Sequence, residues 1–230
     1  MRAYVIADAD DGDPGFVGAR LVDHGFELSY LDRDDLPDRV LLDDVGLLLL
    51  LGSVRSACAD DQRDVVEAES GLVRDVLSAG TPVMGICYGG QLLARALGGS
   101  VQRAETAEFG WHRVDSVDPR LCPPGPWAQF HGDSFVPAPT SRVLGTSAAG
   151  CQGYADKSMK GRAIGWQFHP EVGGIRFAEW VDEVEAFCLE RGGDPDDLRR
   201  QAASYADSGR KRAYDLIDSA IGWLSVRPPH

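Results

Sequence analysis

The stretch Pro82-Val83-Met84-Gly85-Ile86-Cys87-Tyr88-Gly89-Gly90-Gln91 decides the fold. Pro82 to Ile86 is a short apolar run that reads as a buried strand. Gln91-Leu92-Leu93-Ala94-Arg95-Ala96-Leu97 reads as a helix that stops at Gly98-Gly99. Between them stands Cys87, with Gly85 two residues before it and Gly89 two residues after. A residue on a sharp strand-to-helix turn has a strained backbone, and it needs small neighbours if its side chain is to stand clear. The same turn sets the sulfur at a helix N-terminus, where the dipole favours thiolate over thiol. A buried, inert cysteine has no use for flanking glycines. That reading suits Cys58, Cys122, Cys151 and Cys188 better, and Cys87 reads as a nucleophile.

A nucleophilic cysteine needs a base, and the base needs a group to orient it. Gly165-Trp166-Gln167-Phe168-His169-Pro170-Glu171-Val172 supplies both. Ala163 to Phe168 reads as a strand with His169 where it ends. Pro170 holds the backbone extended, so His169 and Glu171 project from one edge two residues apart. The carboxylate can then fix one imidazole tautomer while the other ring nitrogen faces the sulfur. His131 is the competing histidine. In His131-Gly132-Asp133 no proline-fixed turn sets an orienting partner for it, so His169 ranks above it. His112 reads as surface.

Through Gly85-x-Cys87-x-Gly89-Gly90-Gln91 and His169-Pro170-Glu171 the chain resembles the class I (triad) glutamine amidotransferases. The closest likeness is to the glutaminase domain of GMP synthase and its free-standing relatives, from about residue 1 to about residue 172. The resemblance implies a Cys87–His169–Glu171 triad and an oxyanion hole made of backbone N–H groups. The family usually carries Gly-Gly-Pro after its third strand, whereas this chain has Gly52-Ser53-Val54. A backbone donor survives a change of side chain, so Ser53 and Tyr88 are the expected donors, with Gly52 in the turn. Without the proline the loop is expected to be less rigid. Glu108-Phe109-Gly110-Trp111 and Gln129-Phe130-His131-Gly132-Asp133 also match the family. The resemblance makes His131, Gly132 and Asp133, together with Gln91, the expected glutamine contacts. No cofactor and no metal are expected.

Composition narrows the alternatives. The net charge is −13, from 23 basic and 36 acidic residues. That argues against nucleic acid and anionic membranes, because phosphate binding needs a basic surface. The five cysteines are scattered, with no C-x-x-C pair, which reads as reduced, cytoplasmic chemistry. No signal peptide is expected, since the first residues run straight into a strand, and the apolar run Leu47 to Leu51 is far too short to span a bilayer.

Outward from Cys87, Arg63 to Ala79 repeats apolar residues at helical spacing, with Gly80 as the stop, and reads as a crossover helix that does no more than pack. Tyr4 to Ala7, Phe26 to Leu31 and Val45 to Leu51 read as strands, the last apolar on both faces as in the middle of a parallel sheet. Phe16 to His24 reads as a helix, and the acidic loop Asp8 to Gly15 as solvated. After Gly99 the short pieces Val101 to Arg103, Phe109 to Val117, Trp127 to His131, Arg142 to Ser147 and Cys151 to Ala155 read as hairpins. One amphipathic helix is expected around Phe177 to Cys188, then two more over Asp196 to Ala206 and Gly209 to Leu224, with Arg227 to His230 frayed. The expected fold is α/β and flavodoxin-like: a doubly wound, mostly parallel central sheet with antiparallel edge hairpins and a C-terminal helical extension. It forms one domain, with a catalytic core over 1–172 and helices over 173–230 packed on it.

Neither a G-x-x-x-x-G-K-[ST] loop nor a Ser-Gly-Gly-x-Asp-Ser loop occurs in the sequence. Glutamine is the expected substrate, and its ammonia would pass to a separate acceptor synthetase. Two other readings stay open: a γ-glutamyl hydrolase or peptidase using the same triad on another γ-glutamyl amide, and a binding module with a spent site.

Overall fold

The structure, a computed structural model, describes residues 1–36, 45–183, 185–190, 192–205 and 209–225. The chain begins β1 (Arg2–Ala7), α1 (Gly15–Asp23), β2 (Glu27–Asp32), β3 (Val45–Leu50), α2 (Arg63–Ala79), β4 (Val83–Ile86) and α3 (Tyr88–Ala96). It continues through β5 (Ser100–Ser116), β6 (Gly125–Val136), β7 (Arg142–Ser147), β8 (Gly150–Asp156) and β9 (Ala163–Trp166). Four helices follow: α4 (Gly174–Glu183), α5 (Glu185–Glu190), α6 (Pro195–Ser204) and α7 (Gly209–Leu224).

Among the described residues the strands form one sheet in the order β2-β1-β3-β4-β9-β8-β7-β5-β6. The first five run parallel, and the last four join antiparallel. The parallel half is doubly wound because its strands are apolar on both faces. Leu47 and Leu49 of β3 join Val17 and Leu21 of α1 and Leu216 and Ile217 of α7 in one cluster. Leu48 and Leu50 join Val73 and Leu77 of α2 and Leu92 and Leu93 of α3 in another. A third cluster seats α4 and α6, through Phe177, Val181, Leu198 and Ala202, beside Ala128 of β6.

Three expectations change. The strand expected over Ala163 to Phe168 stops at Trp166, and the chain bends at Gln167-Phe168 and turns at Pro170-Glu171, so His169 and Glu171 meet across a turn rather than along an extended edge. The hairpin region is longer than its pieces suggested: Val101 to Arg103 and Phe109 to Ser116 belong to one strand, β5, whose pairing with β6 slips register between Arg103 and Glu108. A bulge keeps the strand going where the polar residues suggested a break. The helix expected over Phe177 to Cys188 is seen as α4 and α5 on either side of residue 184, which is outside the described residues, as are residue 206 and the expected frayed end at 227–230. No helix among the described residues is long and apolar enough to cross a membrane.

The sheet sets up the site by register. Ile86 pairs with Trp166, so the carboxyl ends of β4 and β9 lie side by side, and the Cys87 N–H donates to the Trp166 carbonyl at 2.8 Å.

Candidate active site

Cys87 has φ 51° and ψ −112°, in the left-handed half of backbone space that a residue with a side chain rarely enters. Its neighbours show why they are glycine. A Cβ on Gly89 would lie 2.2 Å from the Leu50 carbonyl oxygen, and one on Gly85 would lie 2.6 Å from that of Gly89. The first turn of α3 therefore rests directly on the strand ends. The observed strain makes a prediction. Cys87→Gly relieves about 1–3 kcal/mol, against up to about 1 kcal/mol of extra unfolded-state entropy. Chemical denaturation is expected to show Cys87→Gly as the more stable of the Cys87→Gly and Cys87→Ala pair; an equal or lower midpoint contradicts a strained elbow.

His169 follows β9, its N–H donating to the Ala128 carbonyl at 2.9 Å. Its Nδ1 meets Glu171 Oε1 at 2.7 Å, with both side chains buried. The other ring nitrogen, Nε2, is buried and closes no hydrogen bond of good geometry. Catalytic contacts of this kind often tighten only when substrate is bound. Cys87 and His169 converge on one point: a Cβ placed on Gly52 would lie 3.1 Å from His169 Cε1 and 3.7 Å from Cys87 Cβ. Burial works against a charged imidazole, but the charges of Glu171 and Cys87 outweigh it and raise the His169 pKa well above the ordinary 6.5. The Trp180 ring stands edge-on to the imidazole, with centroids 4.9 Å apart.

Two glutamines sit behind the sulfur. Gln167 Nε2 donates to Cys87 Sγ at 3.6 Å, and Gln91 Nε2 donates to Gln167 Oε1 at 3.4 Å and to the Asp133 carbonyl at 3.3 Å. The residues converge on a cavity of about 460 Å³, lined by Cys87, His169, Gly52, Ser53, Gln91 and His131 among others.

The family description "Glutamine amidotransferase class-I" matches residues 20–179, which contain the elbow, His169 and Glu171. The chain belongs to this family. Its curated relatives include the glutamine-hydrolyzing GMP synthase of Parafrankia sp. (strain EAN1pec), 41% identical over 123 residues, which is 51% of this chain and 23% of that protein. The GMP synthase of Tropheryma whipplei (strain Twist) is 34% identical over 145 residues, covering 61% of this chain and 28% of the relative. The matched stretch thus spans about a quarter of those relatives' length. A crystal structure of a glutamine amidotransferase from Thermotoga maritima is 26% identical and superposes with a TM-score of 0.80 over 97% of both chains. One from Methylobacillus flagellatus, at 24% identity, shows the same fold with a TM-score of 0.79 over 99% of this chain and 96% of its own.

The structure brings Cys87, His169, Glu171, Gly52, Gln91, His131 and Asp133 to one place, and modifies four sequence readings. His131 does have an orienting carboxylate. The β5–β6 register sets Glu108 opposite it, with His131 Nε2 3.2 Å from Glu108 Oε2. Its Nδ1 meets the Asp133 carbonyl at 3.0 Å, so both ring nitrogens are occupied and neither is left for the sulfur. Burial pushes the Glu108 carboxyl up, but hydrogen bonds from His131 and Ser147 outweigh it and hold the group below the ordinary carboxylate range. Next, the Gly52-Ser53-Val54 turn is braced rather than loose. Ser53 Oγ donates to Asp8 Oδ2 at 2.6 Å and accepts from the Arg55 N–H at 3.1 Å. The acidic loop is not merely solvated either: besides Asp8, its Asp11 accepts from Arg176 Nη2 at 2.8 Å. Finally, α2 does more than pack. Its buried Glu69 accepts from the Tyr88 hydroxyl at 2.8 Å and from Arg33 Nη1 at 3.0 Å.

Gln91 spends its amide N–H groups on protein partners, and Asp133 is tied to Ser56 Oγ at 2.6 Å and Arg103 Nη1 at 3.0 Å. Gln167, Trp180, Arg33 and Glu69 were given no role from sequence, and Glu108 was quoted only as part of a family-matching stretch. Glu69 had a signal, since it lies on the same stripe as the buried Val66, Val73 and Val76.

Proposed function

We propose that this chain hydrolyses the γ-amide of glutamine through a cysteinyl thioester on Cys87, and that the ammonia is used by a synthetase active site outside these 230 residues. One observation carries the reading: a strained Cys87 and a buried His169–Glu171 pair line the same cavity. The raised His169 pKa suits a resting imidazolium beside a thiolate. The thiolate attacks the γ-carbonyl carbon, and the carbonyl electron pair moves onto oxygen. The Ser53 and Tyr88 N–H groups receive that oxyanion. Tyr88 is the first residue of α3, where a helix N–H has no intrahelical acceptor. When the tetrahedral carbon collapses, the C–N bond breaks, the nitrogen takes the imidazolium proton, and ammonia leaves. Neutral His169 then removes a proton from water, hydroxide attacks the thioester, and glutamate departs as the thiolate re-forms. Gln167, donating to the sulfur, supports the thiolate at both ends of this cycle.

The cavity supports a second reading. At about 460 Å³ it is larger than one amino acid fills, so a bulkier γ-glutamyl amide is the alternative substrate. Ammonia or amine release from glutamine and a panel of N-substituted γ-glutamyl amides separates the two. Glutamine is expected to give the highest kcat/KM. A bulky amide turned over at least tenfold better would replace the amidotransferase reading with a hydrolase one.

A further inference from the structure

We infer that Arg33 is a positioning residue for the oxyanion hole, a single guanidinium that holds both of its walls. The inference rests on the assignment of Ser53 and Tyr88 as the N–H donors. Arg33 follows β2 in a short 3-10 turn capped by the Asp32 side chain, and its side chain is completely buried. A buried guanidinium is tolerated only where its nitrogens find acceptors, and here each of the three nitrogens has one. Nε donates to Asp8 Oδ1 at 2.9 Å, Nη1 to Glu69 Oε1 at 3.0 Å, and Nη2 to the Leu51 carbonyl at 3.1 Å. The guanidinium carbon also lies 4.8 Å from the centre of the Tyr88 ring.

Every one of these partners leads to the hole. Leu51 enters the Gly52-Ser53 turn directly. Asp8 holds Arg33 with one oxygen and Ser53 Oγ with the other, at 2.6 Å. Glu69 holds Arg33 with one oxygen and the Tyr88 hydroxyl with the other, at 2.8 Å. The β3–β4 pairing ends at Leu50–Gly85, and Ser53 and Tyr88 lie beyond it on the following loop and helix, so the sheet ladder alone does not set the distance between their N–H groups. The Arg33 cluster does fix it. Buried ion pairs are weak evidence for stability, and fixing one geometry is the better attested role. Preorganised donors are the use to which an oxyanion hole puts such a geometry. The cluster takes the place of the proline that the Gly52-Ser53-Val54 turn lacks.

The test compares Arg33→Lys, Ser53→Ala and Tyr88→Phe with wild type in two assays. Glutamine hydrolysis forms an oxyanion. Alkylation of Cys87 by iodoacetamide does not, so it reads the thiolate and the triad alone. Arg33→Lys keeps the charge but not the three-way fork. It is expected to lower kcat about tenfold to a hundredfold with KM within about threefold, short of the loss from deleting a donor outright. Its alkylation rate and pH profile should match wild type. Ser53→Ala and Tyr88→Phe each cut one arm, and each is expected to lower kcat by about threefold to tenfold with the same unchanged alkylation. They carry the test should Arg33→Lys fail to fold. Unchanged kcat in the folded variants overturns the inference, and so does a parallel fall in kcat and alkylation, which is what general loosening produces. The two readings fail separately. Wild-type protein that neither hydrolyses glutamine nor is alkylated at Cys87 defeats the proposed function, and with it the clamp that depends on it. Active wild type matched by its variants defeats the clamp alone.

Discussion

Cys87→Ala is expected to lose glutamine hydrolysis by about 10⁴-fold or more, the scale seen when an acyl-transfer nucleophile is removed. The loss should come without unfolding, because alanine fits wherever cysteine does and the elbow's glycines are untouched. The other cysteines should be dispensable for a physical reason. Burial pushes the Cys122 thiol up to about 12 and the Cys151 thiol up to about 11, so neither forms a thiolate near neutral pH. Cys188 is also pushed up, again chiefly by burial. Ammonia release by Cys87→Ala and by serine variants of the other four, each checked by circular dichroism, measures this. Near-wild-type turnover by a folded Cys87→Ala protein would put the nucleophile elsewhere.

The two buried histidines should separate turnover from stability. His169→Ala removes the group that takes and returns the proton, and is expected to cost about 10³-fold or more in kcat. His131 is a structural partner of Glu108, and its ring nitrogens are already committed. His131→Ala should chiefly destabilise, by about 1–3 kcal/mol, as leaving a buried carboxylate oxygen short of a hydrogen-bond partner does, with a far smaller effect on kcat. Thermal melts and steady-state kinetics on both variants decide it. Severe loss of kcat at His131 with little at His169 would exchange their roles.

What the sequence made legible is what local rules control. Gly85-x-Cys87-x-Gly89 dictates a sharp elbow because the backbone contacts that forbid a Cβ lie within one strand and one turn, together with the adjacent end of β3. The His169–Glu171 pair was legible because an imidazole and a carboxylate two residues apart can meet, although the backbone turns at Pro170-Glu171 rather than running extended. The doubly apolar Leu47 to Leu51 announced the middle of a parallel sheet. The supporting residues were hidden because they depend on register and on long loops closing. Gln167 reaches a sulfur 80 positions away, and Arg33 reaches a carboxylate 36 positions away on a helix that looked like packing. Glu108 meets His131 only because β5 crosses its bulge and continues. The missing proline suggested a loose turn, since the sequence does not show that Asp8 lies against Ser53.

The central claim is that the Cys87 sulfur becomes acylated by the γ-glutamyl group of its substrate. Rapid acid quench of wild-type protein mixed with excess glutamine, followed by peptide mass spectrometry, tests it most directly. The account predicts a mass increase of one γ-glutamyl group on the peptide containing Cys87, appearing within the first turnover, discharged by hydroxylamine and absent from Cys87→Ala. Steady ammonia release with the adduct on a different residue, or continuing undiminished in Cys87→Ala, would contradict it.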